Sequence, residues 1–264
     1  MHDLNFEHYP EDTPLLARKF YRKYFPLYAK KAIRIATVSE FTKKDITEQY
    51  GIAANGIDVV GNGANTLFAP STEEDKINTR KKYSSGCPYF LYVGALHPRK
   101  NIPVLLKAFD EFRKEFSSTI KLIIAGGKMW KNEQLEEVYD SMQFRDEVIF
   151  TGRLSTDELK DVLASAMALS YIPYFEGFGI PIVEAMYSGV PVITSNVTAM
   201  PEVAGEAALL VDPRSVDSVK DAMMRIVKDE KLRKELILKG EIRKKDFSWD
   251  RTAELLWKCI LKTV

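Results

Sequence analysis

The sequence predicts an α/β fold built on a parallel sheet with helices on both faces. Two patterns predict it. From Tyr89 onward, short apolar runs alternate with amphipathic ones, the order that layers helices over a parallel sheet. The apolar runs are also rich in Val, Ile, Leu and Tyr, and most are bounded by Gly or Pro, as strands buried on both faces are.

Residues 1–66 carry the first elements. Leu15 to Ile35 is amphipathic and basic, with Arg18, Lys19, Arg22, Lys23, Lys30, Lys31 and Arg34 and no acid between Thr13 and Ser39. It reads as a helix interrupted at Pro26, since proline lacks the N–H that an interior turn needs. Its basic face fits a solvated domain helix. With Phe20, Tyr21, Tyr24, Phe25 and Tyr28 among the cations, it also fits a helix lying on a membrane surface. A short strand (Ile35–Val38), a helix opening at Ser39 (Phe41–Tyr50) and another strand (Ile57–Val60) follow, with Gly61-Asn62-Gly63 as a turn. These are too few to close a Rossmann-type layer. Residues 67–86 are polar and charged, with Pro70, Ser71, Ser84, Ser85 and Gly86, and read as a linker or exposed insertion.

The regular alternation then begins. Strands are expected at Tyr89–Val93, Lys121–Ala125, Val148–Phe150, Ala168–Tyr171, Val192–Thr194 and Ala208–Val211. Helices are expected at Ile102–Phe116, Glu133–Ser141, Thr156–Ala166, Ile180–Ser188 and Val216–Lys228. Leu105, Leu106, Phe109, Phe112 and Phe116 keep helical spacing in the first, and Ser155 with Glu158 makes a capping box for the third. Phe247–Val264 is a last helix with Ser248 at its N-cap.

Composition narrows the function classes. The 264 residues are 45% hydrophobic and 28% charged, which excludes a disordered or collagen-like chain. Thirty-eight Lys and Arg against 37 Asp and Glu leave a net charge of +1, which points away from nucleic acid as a partner. The longest uncharged stretch, Ala185 to Pro201, contains Gly, Ser, Thr, Asn and two prolines and is no membrane span. The N-terminus lacks the basic start and apolar run of a signal peptide, and Cys87 and Cys259 sit at no metal or redox spacing. A cytoplasmic protein with free thiols and no protein-bound metal is expected.

The chemistry concentrates in two strand-to-helix turns. In the first, Pro173 to Ala185, Gly177 and Gly179 precede a helix with Pro181 in its first turn, where proline is tolerated. Free amides at such a helix start, with the helix dipole, bind phosphate or another anion. Glu176 stands just before this helix and Glu184 within about its first turn, so both can border a cleft at the C-terminal edge of the sheet. Taken singly, Glu176 fits a surface loop and Glu184 fits complementation of the helix dipole. In the second turn, Gly94 allows a sharp bend and Arg99 and Lys100 sit at the entrance to the following helix. Arg offers a planar fork to phosphate oxygens and Lys a mobile charge, although a solvated basic turn fits as well. His97 has no second His or Cys at metal spacing. The chain has no G-x-G-x-x-G opening a strand–helix unit, no P-loop and no G-x-S-x-G elbow, which argues against dinucleotide oxidoreductases, P-loop NTPases and α/β-hydrolases.

Glu176-Gly-Phe-Gly-Ile-Pro-Ile-Val-Glu184 resembles the E-x7-E signature of the family 4 (group 1) glycosyltransferases. Gly94 to Asn101 resembles their diphosphate-binding turn. Ser188 to Ile193, Pro201-Glu202-Val203, Gly205 to Val211 and Phe247-Ser248-Trp249 follow in the family's order. Residues 88–264 are covered almost throughout, and Thr37 to Glu40 with Asn62-Gly63 resemble the end of the family's N-terminal domain.

The resemblance implies the GT-B arrangement, two Rossmann-like domains facing across a cleft, and a metal-independent transfer that retains anomeric configuration. It implies that residues 1–66 are the remnant of the N-terminal acceptor domain, 87–246 the nucleotide-sugar domain, and 247–264 a helix returning toward the N-terminal domain. It implies that Glu184 holds the nucleotide ribose and that Glu176 meets the donor sugar near the reacting centre. The amides around Gly179 and Ile180 would bind sugar or phosphate, Lys100 the diphosphate, and Leu154 would approach the base. His2, in His2-Asp3-Leu4, resembles the N-domain histidine that reaches the donor sugar. Gly94 is followed by Ala95 where the family commonly has Arg, a charge that Arg99 is expected to supply. The donor is expected to be a GDP- or UDP-hexose, of mannose type by the Pro98-to-Asn101 variant of the turn. The acceptor is expected to be a glycan or lipid-linked sugar, with no cofactor. With most of the N-terminal domain lacking, His2 is expected to be loosely placed, transfer poor, and exposed apolar faces prone to self-association. A non-catalytic nucleotide-sugar-binding fragment is the alternative. A glycoside hydrolase using Glu176 and Glu184 is the third reading.

Overall fold

A computed structural model describes residues 1–127 and 133–264. Its elements run Asn5–His8 (α1), Leu15–Lys31 (α2), Ile35–Thr37 (β1), Glu40–Tyr50 (α3), Ile57–Val59 (β2), Glu73–Ser84 (α4), Tyr89–Val93 (β3), Ile102–Glu115 (α5), Lys121–Ala125 (β4) and Glu133–Ser141 (α6). Val148–Gly152 (β5), Thr156–Ala164 (α7), Ala168–Tyr171 (β6), Ile180–Tyr187 (α8), Val192–Ser195 (β7), Met200–Ala204 (α9), Ala208–Val211 (β8), Val216–Lys228 (α10), Glu230–Arg243 (α11) and Trp249–Leu261 (α12) complete them.

Strands β3 to β8 form one six-stranded sheet in the order β5-β4-β3-β6-β7-β8, parallel at every pairing. The order reverses between β3 and β6. That is where the crevice of a doubly wound sheet opens at the carboxyl ends of its strands. Burial explains why β3 is central: Tyr89, Phe90, Leu91 and Tyr92 are all 0% exposed, so this strand has no solvent face and needs helices on both sides. Phe109 and Phe112 of α5 are likewise buried against it. The capping box at Ser155 is present, with both reciprocal hydrogen bonds.

The N-terminal residues make a second, smaller layer. β1 and β2 pair in parallel over a cluster of Leu4, Phe6, Ala29, Ile35, Ile46, Tyr50 and Ile57. The layer is fastened to the main sheet at several points. Glu202 of α9 accepts hydrogen bonds from the Glu40 and Phe41 amides, at 2.8 and 3.0 Å, and so satisfies the free N–H groups that open α3. Lys262, just past α12, reaches Asp58 at 2.5 Å, and Asp58 also holds Arg34 at 2.6 Å. The last helix therefore returns to the N-terminal layer.

Several elements depart from the sequence expectations. The stretch read as a linker carries the twelve-residue helix α4. Its residues are mostly polar, so it shows no apolar stripe, but Thr72 caps it and Tyr83 hydrogen-bonds Glu158 of α7 at 3.1 Å. α2 runs through Pro26. Helices α1, α9 and α11 were not foreseen: two are short, and α11 buries only Leu236 and Gly240.

Candidate functional site

Two turns at the carboxyl edge build the site. After β3, the chain passes Gly94 and makes a single 3-10 turn over Pro98–Lys100. Asn101 ends that turn with φ 62°, and its side-chain amide donates to the Ile172 and Pro213 carbonyls at 3.2 and 2.6 Å. The turn is thereby tied to the ends of β6 and β8, which fixes where Arg99 and Lys100 point. After β6, the chain reaches Glu176 and then Gly179, whose φ of 93° lies in the left-handed region that glycine enters at little cost. Gly179 is the N-cap of α8 and Pro181 occupies its first turn, so the Ile180 amide stands outside the helix's own hydrogen-bond ladder.

Glu176 is the hub. Its Oε2 is in contact with Lys100 Nζ, lies 3.1 Å from an Arg99 guanidinium nitrogen and accepts from the Tyr171 hydroxyl at 2.9 Å. Burial pushes its carboxyl up, but the Lys100 and Arg99 charges, with the hydrogen bonds from Lys100 and Tyr171, outweigh burial and hold it below its ordinary value. Glu176 is therefore an ionised carboxylate at neutral pH. Lys100 also donates to Tyr171 Oη at 2.6 Å. Arg99 further reaches Asp3 at 3.3 Å and the Phe175 carbonyl at 3.4 Å. The two cations expected to stand at the mouth of the sheet are thus gathered on one carboxylate, and Arg99 is shared with Asp3.

Two cavities meet here, with Val93, Gly94 and Ala95 forming their common wall. The smaller, of about 360 Å³, is lined by His2, Asp3, Arg99, Lys100, Tyr171, Glu176, Gly179 and Ile180 among others. The larger, of about 560 Å³, is lined by Leu154, Leu159, Gly126, Gly127, Arg153 and Thr156. Of the residues singled out in the sequence, Gly94, Arg99, Lys100, Glu176, Gly179, Ile180 and His2 share the first cavity, and Leu154 stands in the second.

Glu184 lines neither cavity. It is the fifth residue of α8, about where expected along the helix, but it does not border the cavity that Glu176 lines. Burial alone pushes its carboxyl up to about 7, because no described cation or hydrogen-bond donor offsets the loss of water.

The N-terminal residues are held more firmly than expected. The Met1 ammonium donates to the Ala36 carbonyl at 2.7 Å, Thr37 Oγ1 donates to the Met1 carbonyl at 3.0 Å, and Thr42 Oγ1 donates to the His2 carbonyl at 3.2 Å. The backbone at His2 is therefore pinned while its side chain is exposed. Gly177 serves this junction rather than the α8 amides: a Cβ there would overlap the His2 carbonyl oxygen. Ser39, the α3 N-cap, donates to the Gly177 carbonyl at 2.7 Å. His97 caps the 3-10 turn and contacts the Asp12 carbonyl at 3.0 Å, a loop role.

Sequence reasoning missed Tyr171, Asp3 and Asn101. Tyr171 was visible only as the last residue of a strand, and Asp3 only as the neighbour of His2.

Comparison with known proteins identifies the family and the fold. Residues 73–243 match the family model described as glycosyl transferases group 1. The chain is 30% identical over 250 residues to O-antigen chain mannosyltransferase B of Escherichia coli, covering 94% of this chain and 66% of that protein. It is 31% identical over 226 residues to O-antigen chain mannosyltransferase RfbU of Salmonella typhimurium, covering 86% and 59%. The chain thus spans about two thirds or less of these relatives' lengths. In fold it is similar to HepE of Anabaena, solved with UDP and glucose, with a TM-score of 0.82 at 17% identity over 99% of this chain and 70% of that one. It is also similar to WaaG, a glycosyltransferase involved in lipopolysaccharide biosynthesis, with a TM-score of 0.77 at 16% identity over 98% and 72%. The fold is that of GT-B enzymes, and the chain belongs to the group 1 glycosyltransferases.

Proposed function

We propose that this chain forms the donor-binding part of a retaining glycosyltransferase that moves a hexose from a nucleotide-diphosphate sugar to a glycan or lipid-linked acceptor. The observation that carries this reading is the pair of cavities meeting at Gly94 and Ala95. The one around Leu154 and Leu159 suits a flat base. The other, with two cations, Glu176 and the α8 N-terminus, suits a diphosphate and its sugar.

Departure of the diphosphate builds negative charge on the leaving oxygen. Lys100 and Arg99, which line the cavity and rest on Glu176, turn their charge to that oxygen as the donor binds, beside the free Ile180 amide. Glu176, held ionised, accepts from donor-sugar hydroxyls near the reacting carbon, and the exposed His2 side chain reaches the sugar from the N-terminal layer. Glu184 takes the ribose hydroxyls, a role that rests on its place in the E-x7-E signature and on a carboxyl that no described cation neutralises. No metal is assigned to the transfer. A mannose-type donor is consistent with the two mannosyltransferase relatives, and the nucleotide is a guanosine or a uridine diphosphate. Family membership sets the glycoside hydrolase reading aside.

The test is radiolabelled sugar transfer by this chain and by the same chain extended with an upstream Rossmann-like half. The expected result is strong transfer only by the extended protein. Donor binding without transfer by either protein would favour the non-catalytic reading. Peripheral membrane contact through α2 belongs to the proposal, since Leu16 is 81% and Phe20 47% exposed among its cations; failure to sediment with anionic vesicles would remove it. Self-association is proposed through α12, whose Trp257 is 60% exposed; a monomer in analytical ultracentrifugation would remove that.

A further inference from the structure

We propose that Tyr171 is a positioning residue of the donor site: its hydroxyl keeps the Glu176 carboxylate in place while Lys100 passes from that carboxylate to the donor diphosphate. The inference rests on the nucleotide-sugar reading above.

Tyr171 ends β6 and is 1% exposed. Its ring stacks on that of Tyr92, with centroids 6.3 Å apart and planes 21° apart. Tyr92 is itself anchored by its hydroxyl, which donates to the Ala95 carbonyl at 2.9 Å. The Tyr171 ring therefore cannot swing, and its hydroxyl sits between a buried cation and a buried anion. A phenol has one proton to donate. Here it goes to Glu176 Oε2 at 2.9 Å, while the oxygen accepts from Lys100 Nζ at 2.6 Å. Lys100 is thus steered by the hydroxyl at the edge of the ring.

An ammonium has three N–H donors, two of them taken by Glu176 and Tyr171, so Lys100 gives its full charge to a phosphate only by loosening its hold on Glu176. Its departure strips the carboxylate of an ion-pair partner in a buried place, where an uncompensated charge is costly. Arg99 and the Tyr171 hydroxyl are the donors that remain on Oε2. Without the hydroxyl, Glu176 depends on Lys100 more heavily and releases it less readily. Removing the hydroxyl should therefore weaken diphosphate binding although Tyr171 itself touches no phosphate in this scheme.

The experiment is a set of four versions of this chain: wild type, Tyr171→Phe, Glu176→Gln and the double variant. Each is titrated calorimetrically with GDP, UDP and the free nucleosides. Tyr171→Phe keeps the ring and its stacking. It should raise the Kd for the preferred diphosphate about tenfold, the scale of a hydrogen bond to a charged group, and leave the nucleoside Kd within about twofold. In the Glu176→Gln background the same change should alter the diphosphate Kd by no more than about twofold. Equal losses for nucleoside and diphosphate, an equal loss in both backgrounds, or no loss at all would each overturn the proposal. If wild type binds no nucleotide, the nucleotide-sugar reading fails and the handover with it. The melting temperatures of the four proteins then decide the remaining claim: additive shifts overturn the positioning of Glu176 by Tyr171, and non-additive shifts uphold it.

Discussion

Replacing Glu184 with Gln should stabilise the protein at pH 8 while weakening its hold on nucleotide. The native carboxyl is pushed from an ordinary 4.5 up to about 7 by burial. In that window the folded protein keeps a proton that the unfolded chain has released, so stability falls as pH rises. The loss is absent below the ordinary value, grows through the window and levels off above about 7. At its full extent it is worth about 3 kcal/mol, and the group's partial exposure to water reduces this toward about 1–2 kcal/mol. Gln is neutral throughout and carries no such cost. Urea unfolding of the two proteins should therefore nearly coincide at acid pH and separate by this amount at pH 8, the variant being the more stable. Binding runs the other way. A ribose hydroxyl donating to a charged carboxylate is worth about 1.5–3 kcal/mol, so the variant should lose about tenfold or more in nucleoside diphosphate affinity by calorimetry at pH 8. Wild-type affinity should also fall as the pH drops below 7, because binding must then expel the Glu184 proton. A Gln variant less stable than wild type at pH 8, or one that binds nucleotide equally well, would refute the reasoning.

Lys100→Ala and Arg99→Ala should each weaken nucleoside diphosphate more than free nucleoside, since only the former carries the charge they meet; equal losses would assign these side chains another role. Gly177→Ala should lower stability by about 1–3 kcal/mol through overpacking, because the added carbon meets the His2 carbonyl oxygen, and an unchanged melting temperature would contradict that close approach. Asn101→Ala removes two buried hydrogen bonds and should cost about 2–4 kcal/mol, read by denaturant unfolding; a loss under about 0.5 kcal/mol would show that the turn is held by other contacts.

The centre of the sheet was legible because its strands are buried on both faces and need continuous apolar runs. Tyr89–Val93, Lys121–Ala125 and Ala168–Tyr171 fall where the sequence puts them. So does the capping box at Ser155, where a side-chain rule fixes a boundary. α4 was not legible, because a helix stabilised by Thr72 and by charged residues on its solvent face has no apolar period to read. The candidate site was legible as residue types on two turns. What the sequence could not convey is how those side chains divide among partners. Arg99 and Lys100 read as two free cations, yet both settle on Glu176, because the Asn101 ties bring the β3 turn against the end of β6. Tyr171 escaped notice for the same reason: a strand residue becomes part of a site only through a crossing turn that lies some 70 residues away in sequence. Gly177 was assigned to the helix start, whereas the contact that demands glycine comes from His2, far away along the chain.

The most direct measurement is calorimetric titration of this chain with GDP, UDP, GDP-mannose, UDP-glucose and the free nucleosides at pH 8. The account predicts saturable binding of at least one nucleoside diphosphate and its sugar, with the nucleoside markedly weaker. Binding of none of them, or binding of nucleoside and diphosphate with equal affinity, would contradict the claim that the turns carrying Lys100 and Glu176 form a nucleotide-sugar site.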